Sequence, residues 1–84
     1  MTEDDDGRSV VLRTGAEAPL RLSSRWSWDG PRVTGEAVRL DPVDHLVDPG
    51  FVEWLVVALA PGSAEVAVDG TPARTVRIVV EVHD

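Results

Sequence analysis

From Leu20 to Trp28 the apolar side chains fall on every second residue. Leu20, Leu22, Trp26 and Trp28, with Ser24 among them, share one face, while Arg21, Ser23, Arg25 and Ser27 share the other. A helix would scatter these residues round its axis, whereas a strand sorts them to two sides. Residues 18–28 are therefore expected to form a half-exposed antiparallel strand. The chain closes on the same pattern over residues 73–83. There Val76, Ile78, Val80 and Val82 point one way and Thr75, Arg77, Glu81 and His83 the other, with Val79 alone out of phase.

The longest apolar run, residues 51–60, is rich in β-branched and aromatic residues and stops at Pro61-Gly62. Such a run reads as a strand covered on both faces, and we expect it to be the central one. Shorter alternating stretches occupy residues 8–13 and 63–68. In residues 32–40 the phase slips, with Val33 and Ala37 on one face and Val38 and Leu40 on the other, so a bulge or bend is expected at Gly35. Turn signals stand at residues 14–17, Asp29-Gly30-Pro31, Pro61-Gly62 and Asp69-Gly70-Thr71-Pro72. The expected fold is all-β: a small antiparallel β-sandwich of immunoglobulin-like type with six to seven strands, the alternative being a small β-barrel. Its core should draw on Leu20, Leu22, Trp26, Val38, Leu40, Leu55, Val57, Val66, Val68, Val76, Ile78, Val80 and Val82.

Eighty-four residues without cysteine allow one domain held by packing alone. They exclude a disulfide framework, a thiolate metal site and a cysteine nucleophile. Fifteen acids against eight arginines give a net charge of −7. Four of the acids form the leading run Glu3-Asp4-Asp5-Asp6, so residues 1–7 are expected to be a disordered acidic tail ahead of a single domain spanning 8–84. An acidic body repels phosphate backbones, which argues against a nucleic-acid partner. No stretch is long and apolar enough to span a bilayer as a helix, so no membrane partner is expected. The start is acidic and lacks a secretory pattern, so a cytoplasmic location is expected. Arginine is the sole basic residue type apart from histidine, and Lys, Asn, Gln and Tyr are absent; this usage resembles that of high-GC actinobacteria and points to a bacterial source.

Residues 41–50 read as a connection with a helical turn, Asp41 capping it, Pro42 opening it and Pro49-Gly50 ending it. At helical spacing Asp41, Asp44, His45 and Asp48 fall on one side, and Asp44, His45 and Asp48 could hold a divalent metal. The plainer reading has Asp41 as cap, Asp44 favoured by the helix N-terminus and the rest in water, and it implies no cofactor. Trp26 and Trp28, beside Arg25 and Asp29, could anchor a partner as aromatic hot spots do. Alternatively they extend the Leu20/Leu22 face into one end of the core, with Trp28, nearer the turn, the better placed for exposure. Glu53 lies within the apolar run; it is either a buried acid beside Trp54 or, the favoured reading, near the strand's end and reaching solvent or pairing with an arginine. Ser24 or Ser63 with His45 could be drawn as a catalytic triplet, but no nucleophile-elbow pattern supports it. Phosphate-cradling Gly-Xaa-Gly spacing is also absent.

The last third of the chain has a cadence of its own: a long strand, Pro61-Gly62, a short strand over 63–68, Asp69-Gly70, and the valine-rich residues 76–82. It resembles the closing strands of bacterial immunoglobulin-like domains and, by the same rhythm, the chagasin-type cysteine-protease inhibitors. The resemblance implies a sandwich. Those inhibitors carry an Asn-Pro-Thr-Thr-Gly loop and an Arg-Pro-Trp loop. At the first position this chain has Arg25-Trp26-Ser27-Trp28-Asp29-Gly30-Pro31, and at the second Asp69-Gly70-Thr71-Pro72. No inhibitory residue carries across.

Three functions follow in order of expectation. The first is a non-catalytic protein-interaction or accessory module of a bacterial system, not an enzyme, with a protein partner and a homodimer through an edge strand as a related arrangement. The second is a small cysteine-protease inhibitor of chagasin type using residues 26–31 as a wedge. The third is a metal-binding protein or small enzyme using the Asp41 to Asp48 segment.

Overall fold

The computed structural model describes residues 1–43 and 50–84. Its strands are β1 (Ser9–Arg13), β2 (Glu17–Ser23), β3 (Ser27–Trp28), β4 (Arg32–Thr34), β5 (Val38–Val43), β6 (Phe51–Ala58), β7 (Gly62–Thr71) and β8 (Arg74–His83). Among the described residues β2, β6 and β5 make one sheet, in that order. The other runs β1-β8-β7-β3, with β4 also paired to β7. The two sheets face each other as an unclosed sandwich, as expected, and β1 pairs in parallel with β8.

Alternation decides which faces meet. Leu20 and Leu22 of β2, Val56 and Ala58 of β6, and Val38 of β5 pack against Ala64, Val66 and Val68 of β7 and Val76, Ile78, Val80 and Val82 of β8. Val10 and Leu12 of β1, Leu40 and Trp54 add half-buried edges to this cluster. The strand over residues 51–58 is central to its sheet, flanked by β2 and β5. Its phase differs from the expected one: Trp54, Val56 and Ala58 turn inward. Leu55 is half-buried on the outer face, and Val57, though buried, is outside the inter-sheet cluster. With both faces apolar, alternation had no contrast to read there.

Two expected long strands are each divided between sheets, which raises the described count to eight. The strand expected over 18–28 ends at Ser23. Trp26 N–H donates to Ser23 O (3.3 Å) and Arg25 N–H to the Ser23 hydroxyl (3.3 Å), a turn that swings the chain across the end of the sandwich to β3. The strand expected over 32–40 breaks at Gly35, where the chain leaves β7 and joins β6. Gly35 has φ +102°, and a Cβ there would lie 2.9 Å from Ser63 O. The bend is thus built on a conformation and a close approach that only glycine allows.

Two local expectations fail. Asp41 and Pro42 belong to β5, paired with Leu55 and Trp54, instead of starting a helix. Cross-strand pairing outweighs the capping signal, and an edge strand tolerates the missing proline N–H. Residues 1–7 are not a free tail. Glu3–Asp5 forms a 3-10 turn capped by Thr2. Thr2 bridges to Arg21 at the β2 edge, and Gly7 N–H donates to Arg77 O on β8 (2.8 Å). The segment therefore ties the two sheets together along one side.

Gly35→Ala should destabilise the protein by about 2–3 kcal/mol, measured by urea unfolding. Gly15→Ala, also at positive φ but with open space around it, should cost only about 1 kcal/mol.

Candidate functional site

One end of the sandwich gathers three stretches that are far apart in sequence. Residues 24–26 cross from β2 to β3, Gly50 precedes β6, and residues 72–73 turn β7 into β8. Ser24 N–H donates to Gly50 O (3.1 Å), and Trp28 and Ser27 pair with Gly70 and Thr71.

The two tryptophans divide their roles opposite to expectation. Trp28 packs against the core, its indole N–H donating to Ser23 O at 2.8 Å. Its ring lies across Gly70, where an added Cβ would meet the ring at 2.7 Å. Trp26 stands outside the core, its ring centroid 5.7 Å from that of Trp28. The guanidinium carbons of Arg25 and Arg74 lie 5.6 Å and 4.8 Å from its ring centroid. The turn after Ser23 breaks the period of two, so Trp26 no longer shares the face of Leu20 and Leu22. It is a half-buried indole with two cations within reach of its ring.

Asp69 of β7 fixes the far side of this end. Its carboxylate accepts from Arg32 (2.6 Å) and from the Thr75 hydroxyl (2.9 Å), while its carbonyl accepts from Asp29 N–H (2.8 Å). The hydrogen bond from Arg32, helped by that from Thr75, holds the Asp69 carboxyl below its ordinary pKa. Asp29 is exposed beside this brace. Sequence reasoning missed Arg74, Asp69 and Glu3. Arg74 belongs to a strand read for its apolar face, Asp69 to a stretch read as a turn, and Glu3 to a run read as solvated.

The other candidates part company. Glu53 pairs with Arg21 at 2.6 Å, as favoured, and Arg21 also lies over the Phe51 ring. Asp41 is engaged by Arg39 through two hydrogen bonds (2.9 and 3.1 Å). Asp44, His45 and Asp48, the metal reading, lie outside the described residues. Among the described residues no group of three potential ligands gathers at one place. The triplet drawn from Ser24 or Ser63 turns on His45, which likewise lies outside the described residues.

Comparison with known proteins bears on the fold. No family model matches the sequence, and no curated protein matches it. The structure is similar to the crystal structure of EhICP2, the cysteine protease inhibitor from Entamoeba histolytica. The TM-score is 0.79 at 14% identity, covering 99% of this chain and 92% of that one. It is also similar to the solution structure of amebosin, with a TM-score of 0.58 at 16% identity, covering 99% and 95%. The fold is the chagasin-like, immunoglobulin-type β-sandwich.

Two outcomes follow from the division of the tryptophans. In urea unfolding, Trp28→Ala should cost about 3 kcal/mol, whereas Trp26→Ala should cost less than about 1 kcal/mol. Because the Asp69 pKa is depressed on folding, its contribution is complete above the ordinary aspartate pKa and is lost as pH falls through the lower folded value. Asp69→Asn should therefore flatten the acid limb of stability measured against pH and leave its slope near neutrality unchanged.

Proposed function

We propose that this protein is a non-catalytic inhibitor of cysteine proteases that presents the Trp26 end of the sandwich to the enzyme. The observation that carries this reading is the likeness, over nearly the whole chain, to a sandwich described as a cysteine protease inhibitor. It favours the inhibitor over the accessory module that the sequence ranked first. Protein binding is common to both readings, and the end of the molecule suits it. An inhibitor acts by occupying a cleft, so it needs a narrow, stiff edge instead of reactive groups. Residues 25–31 and 69–72, where the resemblance sets the family's two loops, lie at this same end and are linked through the pairing of Trp28 with Gly70.

The side-chain chemistry supports the reading. An indole supplies a large contact area at a small entropic cost, and tryptophan and arginine are the residues most enriched among interface hot spots. Trp26 is held in place by Arg25, Arg74 and Trp28 but does not belong to the core. It can therefore be given to a partner without loss of the fold.

Purified protein titrated against a panel of papain-type cysteine proteases should inhibit at least one of them. Trp26→Ala should weaken inhibition by about 30-fold or more, as loss of a hot spot does. Complete lack of inhibition at micromolar concentration across the panel would remove the proposal.

A further inference from the structure

We infer that the N-terminal acidic segment is a built-in brace that positions Trp26, with Glu3 as its positioning residue. The inference rests on the reading of the Trp26 end as the binding edge, which it deepens.

Three acids of the run accept backbone N–H groups. Asp5 Oδ2 accepts from Thr2 (3.0 Å), which closes the 3-10 turn on itself. Asp6 Oδ1 accepts from Arg77 (2.8 Å), which fastens the segment to β8. Glu3 reaches the binding edge. Both of its carboxylate oxygens lie 3.3 Å from Ser23 N, at the point where the chain leaves β2 for the Trp26 turn. Its carbonyl accepts from Arg74 Nη2 (3.1 Å), and Arg74 is the cation nearer to the Trp26 ring. One residue thus holds the root of the turn and the arginine that supports its tip.

The segment is itself anchored along β2. Arg21 N–H donates to Met1 O (2.8 Å), and the Met1 ammonium donates to Pro19 O (2.9 Å). Glu3 is therefore delivered by a strand edge and not by a loose arm. Three hydrogen bonds of the crossing, from Trp26 N–H, Arg25 N–H and the Trp28 indole N–H, end on Ser23, the residue whose own N–H Glu3 holds. Setting Trp26 before the partner arrives lowers the ordering cost of binding, which is how preorganisation raises affinity.

The experiment compares Glu3→Ala, Glu3→Asp and Glu3→Gln in the full chain with two readouts. The first is inhibition of the most sensitive protease of the panel. The second is the exciton couplet of the Trp26–Trp28 pair in circular dichroism, which reports ring geometry without any enzyme. Glu3→Ala and Glu3→Asp, which lack or shorten the reach to Ser23 N, should lose most of the couplet and inhibit about tenfold less well. Glu3→Gln keeps an oxygen acceptor and should retain both. Wild-type couplet and inhibition in Glu3→Ala would overturn the brace. So would equal loss in Glu3→Gln, since charge and not positioning would then be at work. Should Glu3→Ala unfold, the Asp and Gln variants carry the same comparison. If the native protein inhibits nothing but the couplet still separates the variants, the inhibitor reading fails and the brace stands.

Discussion

Aliphatic packing between two sheets is the interaction on which everything else in this molecule depends. With no cysteine in the sequence, there is no covalent staple to share the task. Leu20, Leu22 and Val56 of one sheet and Val68, Val76, Ile78 and Val80 of the other are essentially inaccessible to water, and among the described residues no polar side chain is buried. The ion pairs Arg32–Asp69 and Arg39–Asp41 lie at the surface, where such pairs contribute little to stability, and Arg21–Glu53 joins an exposed arginine to a half-buried carboxylate at the margin of the sheet. A thin core of this kind must be kept dry at its margins, and the chain does so with its connections. The N-terminal segment spans the β2 and β8 side, the Gly35 bend spans the β4 and β5 side, and Trp28 lies across one end. Each connection thereby acquires a fixed geometry that a loose loop would lack.

The frame was legible where one face of a strand is apolar and the other polar. β2, β7 and β8 carry that contrast, and their inward residues agree with expectation. Gly35 was legible for a different reason: a slip of phase beside a glycine has few structural explanations. β6 was recognisable as the central strand but not in phase, because Leu55 and Val57 are as apolar as Trp54 and Val56. Asp41-Pro42 carried a sound local signal for a helix start, but ladder pairing with β6 overrode it. Local propensity is a weak prior when a neighbouring strand offers a complete row of partners.

The candidate site was less legible than the fold, and the reasons differ by residue. Trp26 was expected in the core and Trp28 toward solvent, but it is Trp28 that packs against the core and Trp26 that stands outside it. The turn at Ser23 shifts the phase by an amount that no alternation rule contains. Glu3 and Asp6 read as solvated charge because four acids in sequence usually are. Their work lies in accepting N–H groups from Ser23 and Arg77, 20 and 71 residues away. Such contacts become visible only once the sheets are assembled. Arg74 was likewise hidden, since nothing in the order of residues brings it to the ring of Trp26.

These contrasts account for a chain that matches solved sandwiches in shape and nothing in sequence. A frame of alternating aliphatic residues accepts exchange among Val, Ile, Leu and Ala so long as volume and phase are kept. The same architecture can therefore be built by sequences that agree at only 14% of positions. The connections obey the opposite rule. A loop that meets a partner is constrained by the partner, and a different edge can serve provided it is stiff and presents an anchor. In the inhibitor proposed above the anchor is the Trp26 indole, with the Arg25 and Arg74 guanidinium groups beside it, on the sheet-to-sheet crossing whose other ring, Trp28, packs against the core. Sealing and presentation are thus coupled through two adjacent rings, and a change that loosens Trp28 should be felt at Trp26 even where no partner residue is touched.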